Sequence, residues 1–393
     1  MIYIAVLFLL VILSFHYDIN EKKENRDFWY LVCLFIFIFI AGLRWRLCVD
    51  TPNYIESFYH EYPTIQEFSW DDLSIGEDPL YVFINSIVKT CGGRFYMVQL
   101  IQASFVNILI FAYIKRHTSH IFMALLFYAL TSYLGYNMDI MRASMAIAVS
   151  LFANDFFLEK KWIKGYLLVI IGCFFHAQTI LLLILPFFVF LRFNKIGIII
   201  LLGGIFLGKI AQALLLDYMF LFDANEAVSG KMAGYLEDEK YGTQGGNFNF
   251  FIVNILPTLI YCVLSLLYLK WKNSELKILK LEPFLMFGFF FLIMQMSLQI
   301  AYRFVDFYRV YFVLFLAEAF VVWLKKSSTL SISVATLRTY IFFLPYFILV
   351  NWSYFTHPEW IYPYSSVIER SVDQRRESSY AKWDRPRVKL DEY

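Results

Sequence analysis

Apolar residues fall along this chain in runs long enough to cross a bilayer, separated by short polar loops, a pattern that predicts an all-α polytopic membrane protein. Runs near the roughly 20 residues a helix needs to cross hydrocarbon occupy 1–15, 28–43, 96–114, 120–136 and 142–158. Others follow at 196–216, 248–269, 283–301, 304–324 and 338–355. Between Lys164 and Arg192 the apolar stretch is too long for one span and short for two. Within the long polar loop 44–95, Asp78 and Pro79 read as N-cap and first helical residue. Leu80, Phe83, Ile84, Ile87 and Val88 then follow at helical spacing as one apolar stripe. A helix that short cannot span a bilayer, so it is expected to lie in the interface and roof the outer face. The loop 217–247, with Gly230, Gly234, Gly242, Gly245 and Gly246 among acidic residues, has the composition of a mobile lid.

Charge fixes the expected orientation. The loops 16–27, 115–119, 159–164, 192–195, 270–282 and 325–338 hold nearly twice as many Lys and Arg as the other loops, in little more than half the residues. Placing them in the cytoplasm satisfies the positive-inside rule. It does so only if residues 164–192 leave the cytoplasm and return, as two short helices or a re-entrant hairpin with His176 at the apex. The result is about twelve helical segments with both termini outside. Residues 1–355 form a single transmembrane domain, with 44–95 and 217–247 as long extracytoplasmic loops and 356–393 as a polar, partly disordered tail. The first run lacks a basic flank and a small-residue cleavage site, which favours a retained helix over a removable signal.

Composition narrows the class further. Of 393 residues 60% are hydrophobic and only 17% charged, outside soluble averages. A net charge of +2, without a basic run interleaved with aromatics before the tail, argues against nucleic acid. The five cysteines have no metal spacing, and Cys48 and Cys91 share one loop where a disulfide would need an oxidising space. Phosphate-loop, dinucleotide, GxSxG and HExxH patterns are absent, so a nucleotide-sugar donor used in the cytoplasm is disfavoured. Energy for any reaction must then come from an activated, lipid-linked donor.

The ionisable residues at helix ends gather on one side. Arg44, Arg46, Asp50, Glu77, Asp78, Asp139, Arg142, Arg303, Asp306 and Arg309 all fall at expected outer ends, with His176 at the hairpin apex. Any single arginine there could simply snorkel to head groups; the one-sided set points to an anionic substrate at a membrane surface. Arg303, Asp306 and Arg309, spaced i, i+3, i+6, share a helix face, and two guanidinium groups oriented by a carboxylate can clamp a pyrophosphate. The bland alternative is a self-satisfied ion-pair ladder. Asp139 and Arg142 repeat the i, i+3 spacing, with Tyr136 and Asn137 placed to stack on and bond to a sugar. A lone buried histidine is more often a satisfied core residue than a base, but His176 stands at a break in an apolar run, where freed backbone groups need protein or water around them. Asp50 also fits an Asx-type turn before Pro52, and Asp78 is better explained as a helix cap than as catalysis.

Five segments in order, GLRW…DTPNY at 42–54, the acidic-Pro-Leu-Tyr element at Asp78–Tyr81, YNMDIMRASMAIA at 136–148, FFHAQTI at 174–180 and AYRFVDFYRVYF at 301–312, resemble the EpsG family of bacterial membrane proteins, which is similar to the Wzy polymerases of O-antigen and capsule. The resemblance runs from about residue 28 to 325 and implies a C-type glycosyltransferase-like (GT-C/Wzy-like) bundle. It implies joining of oligosaccharide repeat units carried on undecaprenyl pyrophosphate at the outer leaflet of the cytoplasmic membrane. By matching motif it marks Arg44, Asp50, Arg142, His176 and Arg303. Cys48 stands near where relatives often have glycine, which bears on the turn before Asp50.

The expected chemistry follows. A sugar hydroxyl attacks the anomeric carbon of the growing chain and expels lipid pyrophosphate, with His176 or Asp50 as general base. Arg142, Arg303 and Arg309, with Arg44 and Arg46, neutralise the leaving diphosphate. Glu77, Tyr136, Asn137, Asp139 and Asp306 complete the substrate-binding set. No cofactor or metal is expected, although Asp50 with Glu77 could hold one. The partners implied are the lipid-linked oligosaccharide, the bilayer, a chain-length co-polymerase and a flippase. The rival readings are a transporter or flippase of lipid-linked glycan, and an O-antigen ligase or acyltransferase-type enzyme.

Overall fold

Helices form where the apolar runs predicted them, because in hydrocarbon every backbone N–H and C=O must be satisfied within its own segment. A computed structural model describes residues 2–69, 78–217, 251–272, 276–326 and 332–382. Among them no strand forms, only one antiparallel bridge between Arg44 and Ser366. Among the described residues six helices are long and apolar enough to cross a membrane: Ile2–Ile19, Phe95–His117, Met141–Leu158, Lys195–Leu214, Phe251–Lys272 and Tyr302–Lys325. The chain is an all-α polytopic membrane protein. Glu77 and the glycine-rich lid segment lie outside the described residues.

The chain, expected as one membrane domain, divides into two compact units, Met1–Leu183 with Asn351–Tyr393, and Ile184–Val350. In the first, α1 (Ile2–Leu13), α2 (Arg26–Gly42), α3 (Thr51–Glu56) and α4 (Pro79–Thr90) are followed by α5 (Phe95–His117), α6 (Ile121–Thr131), α7 (Met141–Leu158) and α8 (Trp162–Phe175). The second holds α9 (Lys195–Asp217), α10 (Leu256–Lys272), α11 (Glu282–Met294), α12 (Tyr302–Val305), α13 (Arg309–Lys326) and α14 (Ile332–Val350). In the first unit α2 packs on α5, α5 on α7, α7 on α8, and α1 on α6. In the second, α9 packs on α11 and α10 on α13 and α14. Ile196, Ile199, Leu202, Phe206 and Ile210 form an exposed stripe on α9, the face such a helix turns to lipid.

The expected break in residues 164–192 is present. α8 ends at Phe175, His176 is extended (φ −161°, ψ 119°), and a 3₁₀ helix follows over Ala177–Phe188. The chain folds back enough for Thr179 to lie over Gly172, where a Cβ would meet Thr179 Cγ2 at 2.7 Å. Glycine is required there by that close approach.

α4 forms with 12 residues, too short to span: Phe83 and Ile87 of its apolar stripe are exposed and Val88 is buried, with Tyr81, Val82, Asn85 and Ser86 buried beside it. In an interface the apolar stripe can meet lipid, so the polar side turns inward against α5 and α8. The tail, read from composition as partly disordered, is folded through Lys382. It carries α15 (Trp352–Thr356) and α16 (Gln374–Lys382), and both Arg376 and Tyr380 are buried. Buried backbone bonds decide this: Trp45 N–H donates to Ser365 O at 2.8 Å, Cys48 N–H to Trp360 O at 2.9 Å and Val367 N–H to Leu43 O at 2.9 Å. Local charge density could not show these partners. Cys48 is a buried free thiol and Cys91 an exposed one, with no disulfide between them.

Candidate functional site

Asp78 is the organising residue of the first unit. It occupies the N-cap position before Pro79, yet its side chain makes no cap bond, because the backbone there is left-handed (φ 56°, ψ 60°). A non-glycine residue in that region stores strain that its surroundings must hold. The carboxylate, almost wholly buried, accepts from Ala177 N–H at 3.2 Å and lies 3.2 Å from His176 Nδ1. Arg142 Nη1 is 2.9 Å from Oδ2, the oxygen that His176 also approaches, while Ala177 N–H binds Oδ1. One carboxylate therefore joins the start of α4, the start of α7 and the break after α8. The cap reading of Asp78 is corrected: the residue sits where a cap would, but binds across the fold.

The third wall is the turn into α3. Arg142 lies over the Tyr54 ring, 5.7 Å from its centroid. Burial pushes the Tyr54 phenol well above its ordinary value, and the Arg142 guanidinium pulls the other way. Asp50 N–H donates to Asp139 Oδ1 at 3.2 Å, which brings the two expected acids together. Asp50 caps α3 by position but makes no side-chain cap bond. Among the described residues no cluster of three or more His, Cys, Asp or Glu side chains could hold a metal ion.

Several expected substrate contacts have other duties. Arg44 is fully buried and donates to Ala41 O at 2.6 Å and Met138 O at 3.2 Å, tying the end of α2 to the segment before α7. Arg46 is held by Glu377 through two hydrogen bonds, Nε to Oε1 at 3.1 Å and Nη2 to Oε2 at 2.9 Å. Tyr136 and Asn137 are buried. Asn137 donates to Tyr128 Oη and Tyr133 O, both at 3.0 Å, and accepts from Asn107 at 2.5 Å. The structure thus turns Arg44 and Asn137 inward, because each finds buried polar partners, and buries Tyr136 beside them.

In the second unit, Arg303, Asp306 and Arg309 lie on the helical stretch from Tyr302, as their spacing predicted. Arg309 Nε donates to Asp306 Oδ1 at 2.5 Å, and Arg303 Nε donates to Tyr302 Oη at 3.2 Å. Both guanidinium groups are partly exposed and oriented by a neighbour on their own helix.

Set against known families, the residues from the start of α2 to the backbone bridge at Ser366 match one sequence-family model: the EpsG family matches residues 27–366. The chain belongs to the EpsG family. Membership supports, in general terms, a role in exopolysaccharide polymerisation of the Wzy type. No curated protein and no solved structure matches this EpsG-family chain. Sequence reasoning took Asp78 for a helix cap and gave Tyr54 no role. The signal for Asp78 was its position directly before proline, where a right-handed backbone is disfavoured and the usual cap geometry is harder to reach.

Proposed function

We propose that this EpsG-family chain polymerises oligosaccharide repeat units carried on undecaprenyl pyrophosphate, at the outer leaflet of the bacterial cytoplasmic membrane. The observation that supports it most is the shared use of Asp78 by His176 and Arg142 at a helix break. With Nδ1 donating to the carboxylate, the lone pair of His176 lies on Nε2, which has no partner among the described residues. His176 is then the general base. Its Nε2 takes the proton of the acceptor hydroxyl as that oxygen bonds to the anomeric carbon of the growing chain. The bond from that carbon to the pyrophosphate oxygen breaks, and the electron pair leaves with the lipid diphosphate.

Asp78 offsets the charge that forms on the imidazole, the part a buried carboxylate plays in a histidine-based catalytic set. The exposed portion of Arg142 binds the departing diphosphate. Asp50 and Asp139 are assigned to sugar hydroxyls. Arginine does the electrostatic work in this scheme, so activity should survive excess chelator.

The test is a reconstituted bilayer supplied with purified lipid-linked repeats. Wild type should produce a ladder of chain lengths, and His176→Ala none. Transfer of single repeats across the bilayer without any ladder would replace this reading with the transporter one.

A further inference from the structure

The turn joining α2 to α3 holds two non-glycine residues in the left-handed region, Arg46 at φ 47° and Cys48 at φ 70°. A left-handed backbone is unfavourable for each of these side chains, and a turn this short does not keep both without external support. Glu377 on α16 binds the Arg46 guanidinium through both carboxylate oxygens. The Tyr380 hydroxyl donates to Arg46 O at 2.6 Å and Cys48 O at 3.1 Å, the carbonyls of the two left-handed residues themselves. Tyr380 is fully buried in doing so, and Arg370 lies over the Trp45 ring at 5.3 Å.

The turn continues directly into the candidate site. Thr51 Oγ1 donates back to Leu47 O, Asp50 N–H reaches Asp139, and Tyr54 lies under Arg142. A shift at Cys48 is therefore passed to Arg142 within two turns of chain. α16 starts at Gln374, past the last residue of the family match.

We propose that Glu377 and Tyr380 are positioning residues: the C-terminal helix clamps the Arg46–Cys48 turn in its left-handed form and so sets Asp50 and Tyr54 against Asp139 and Arg142. The effect on turnover rests on the polymerase reading above; the clamp itself does not.

Two arms test it, both in the full chain in bilayers. The first measures maleimide labelling of Cys48 in a chain carrying Cys33→Ala, Cys91→Ser, Cys173→Ala and Cys262→Ala. Cys48 is 1% exposed, so labelling is slow, and Glu377→Gln with Tyr380→Phe should speed it on the order of tenfold or more. Tyr380→Phe alone, which loses only a hydroxyl, serves if the double variant does not fold. The second arm measures polymerisation. Tyr380→Phe should lower kcat on the order of ten- to a hundredfold with KM for the lipid-linked repeat near wild type. In a Cys48→Gly background the same substitution should cost much less, because glycine takes φ 70° without a steric penalty. Unchanged labelling, or an equal loss of kcat in the glycine background, overturns the proposal. If wild type makes no polymer, the proposed activity falls, while the labelling rates still decide the clamp.

Discussion

Replacing Asp78 with asparagine keeps the shape of the side chain and removes its charge. Two effects of different size follow. Removing one partner of a fully buried ion pair costs about 3–5 kcal/mol. Here the carboxylate side is 4% exposed but the Arg142 side chain is 30% exposed. Water can therefore hydrate the freed guanidinium, and the expected loss of stability is about 1–3 kcal/mol. A typical domain has about 5–15 kcal/mol in hand, so Asp78→Asn should remain folded. Turnover is more sensitive, because the amide can no longer fix the His176 ring or balance an imidazolium. Loss of an orienting carboxylate costs on the order of 10²–10⁴ in rate, or roughly 3–5 kcal/mol of barrier. The assay is single-turnover polymerisation in bilayers beside a thermal melt of the same preparation. A variant that melts within a few degrees of wild type yet polymerises at a hundredth of its rate or less fits the assignment. If Asp78→Asn keeps more than about a tenth of turnover while His176→Ala keeps none, Asp78 does not orient the histidine.

Two further outcomes are expected. Gly172→Ala should destabilise by about 1–3 kcal/mol and slow turnover, since its Cβ would press on the stiff Thr179 side chain two positions beyond Ala177; Thr179→Ser, which removes the methyl at 2.7 Å, should recover most of the loss in a melt. Asp373 caps α16, its Oδ1 accepting from Arg375 N–H at 3.0 Å, so Asp373→Ala should cost the clamp helix about 1 kcal/mol, read as faster amide exchange over Gln374–Lys382. Hydrogen bonding from the Arg375 side chain holds the Asp373 carboxyl below its ordinary value. Its contribution is therefore full above the unfolded carboxylate range near about 4 and is lost as pH falls through the lower folded value. Exchange that is insensitive to acid over that window would refute the assignment.

What the sequence determined by itself was whatever depends on neighbours along the chain. Run length placed the spans, the excess apolar length between Lys164 and Arg192 located the break at His176, and the i, i+3, i+6 spacing put Arg303, Asp306 and Arg309 on one helical stretch. These features are local because a helix closes its own hydrogen bonds. Only the tertiary structure decided how each buried polar group was satisfied. Arg44 reaches Met138, Asn107 reaches Asn137, and Arg46 reaches Glu377 over 331 positions, so three expected ligand contacts are held by internal partners and a tail that composition left loose became a clamp. Asp78 shows the same limit most clearly. Its place before Pro79 suggested a cap, and a left-handed backbone, held by Arg142, His176 and Ala177 from two other segments, made it the hub of the site.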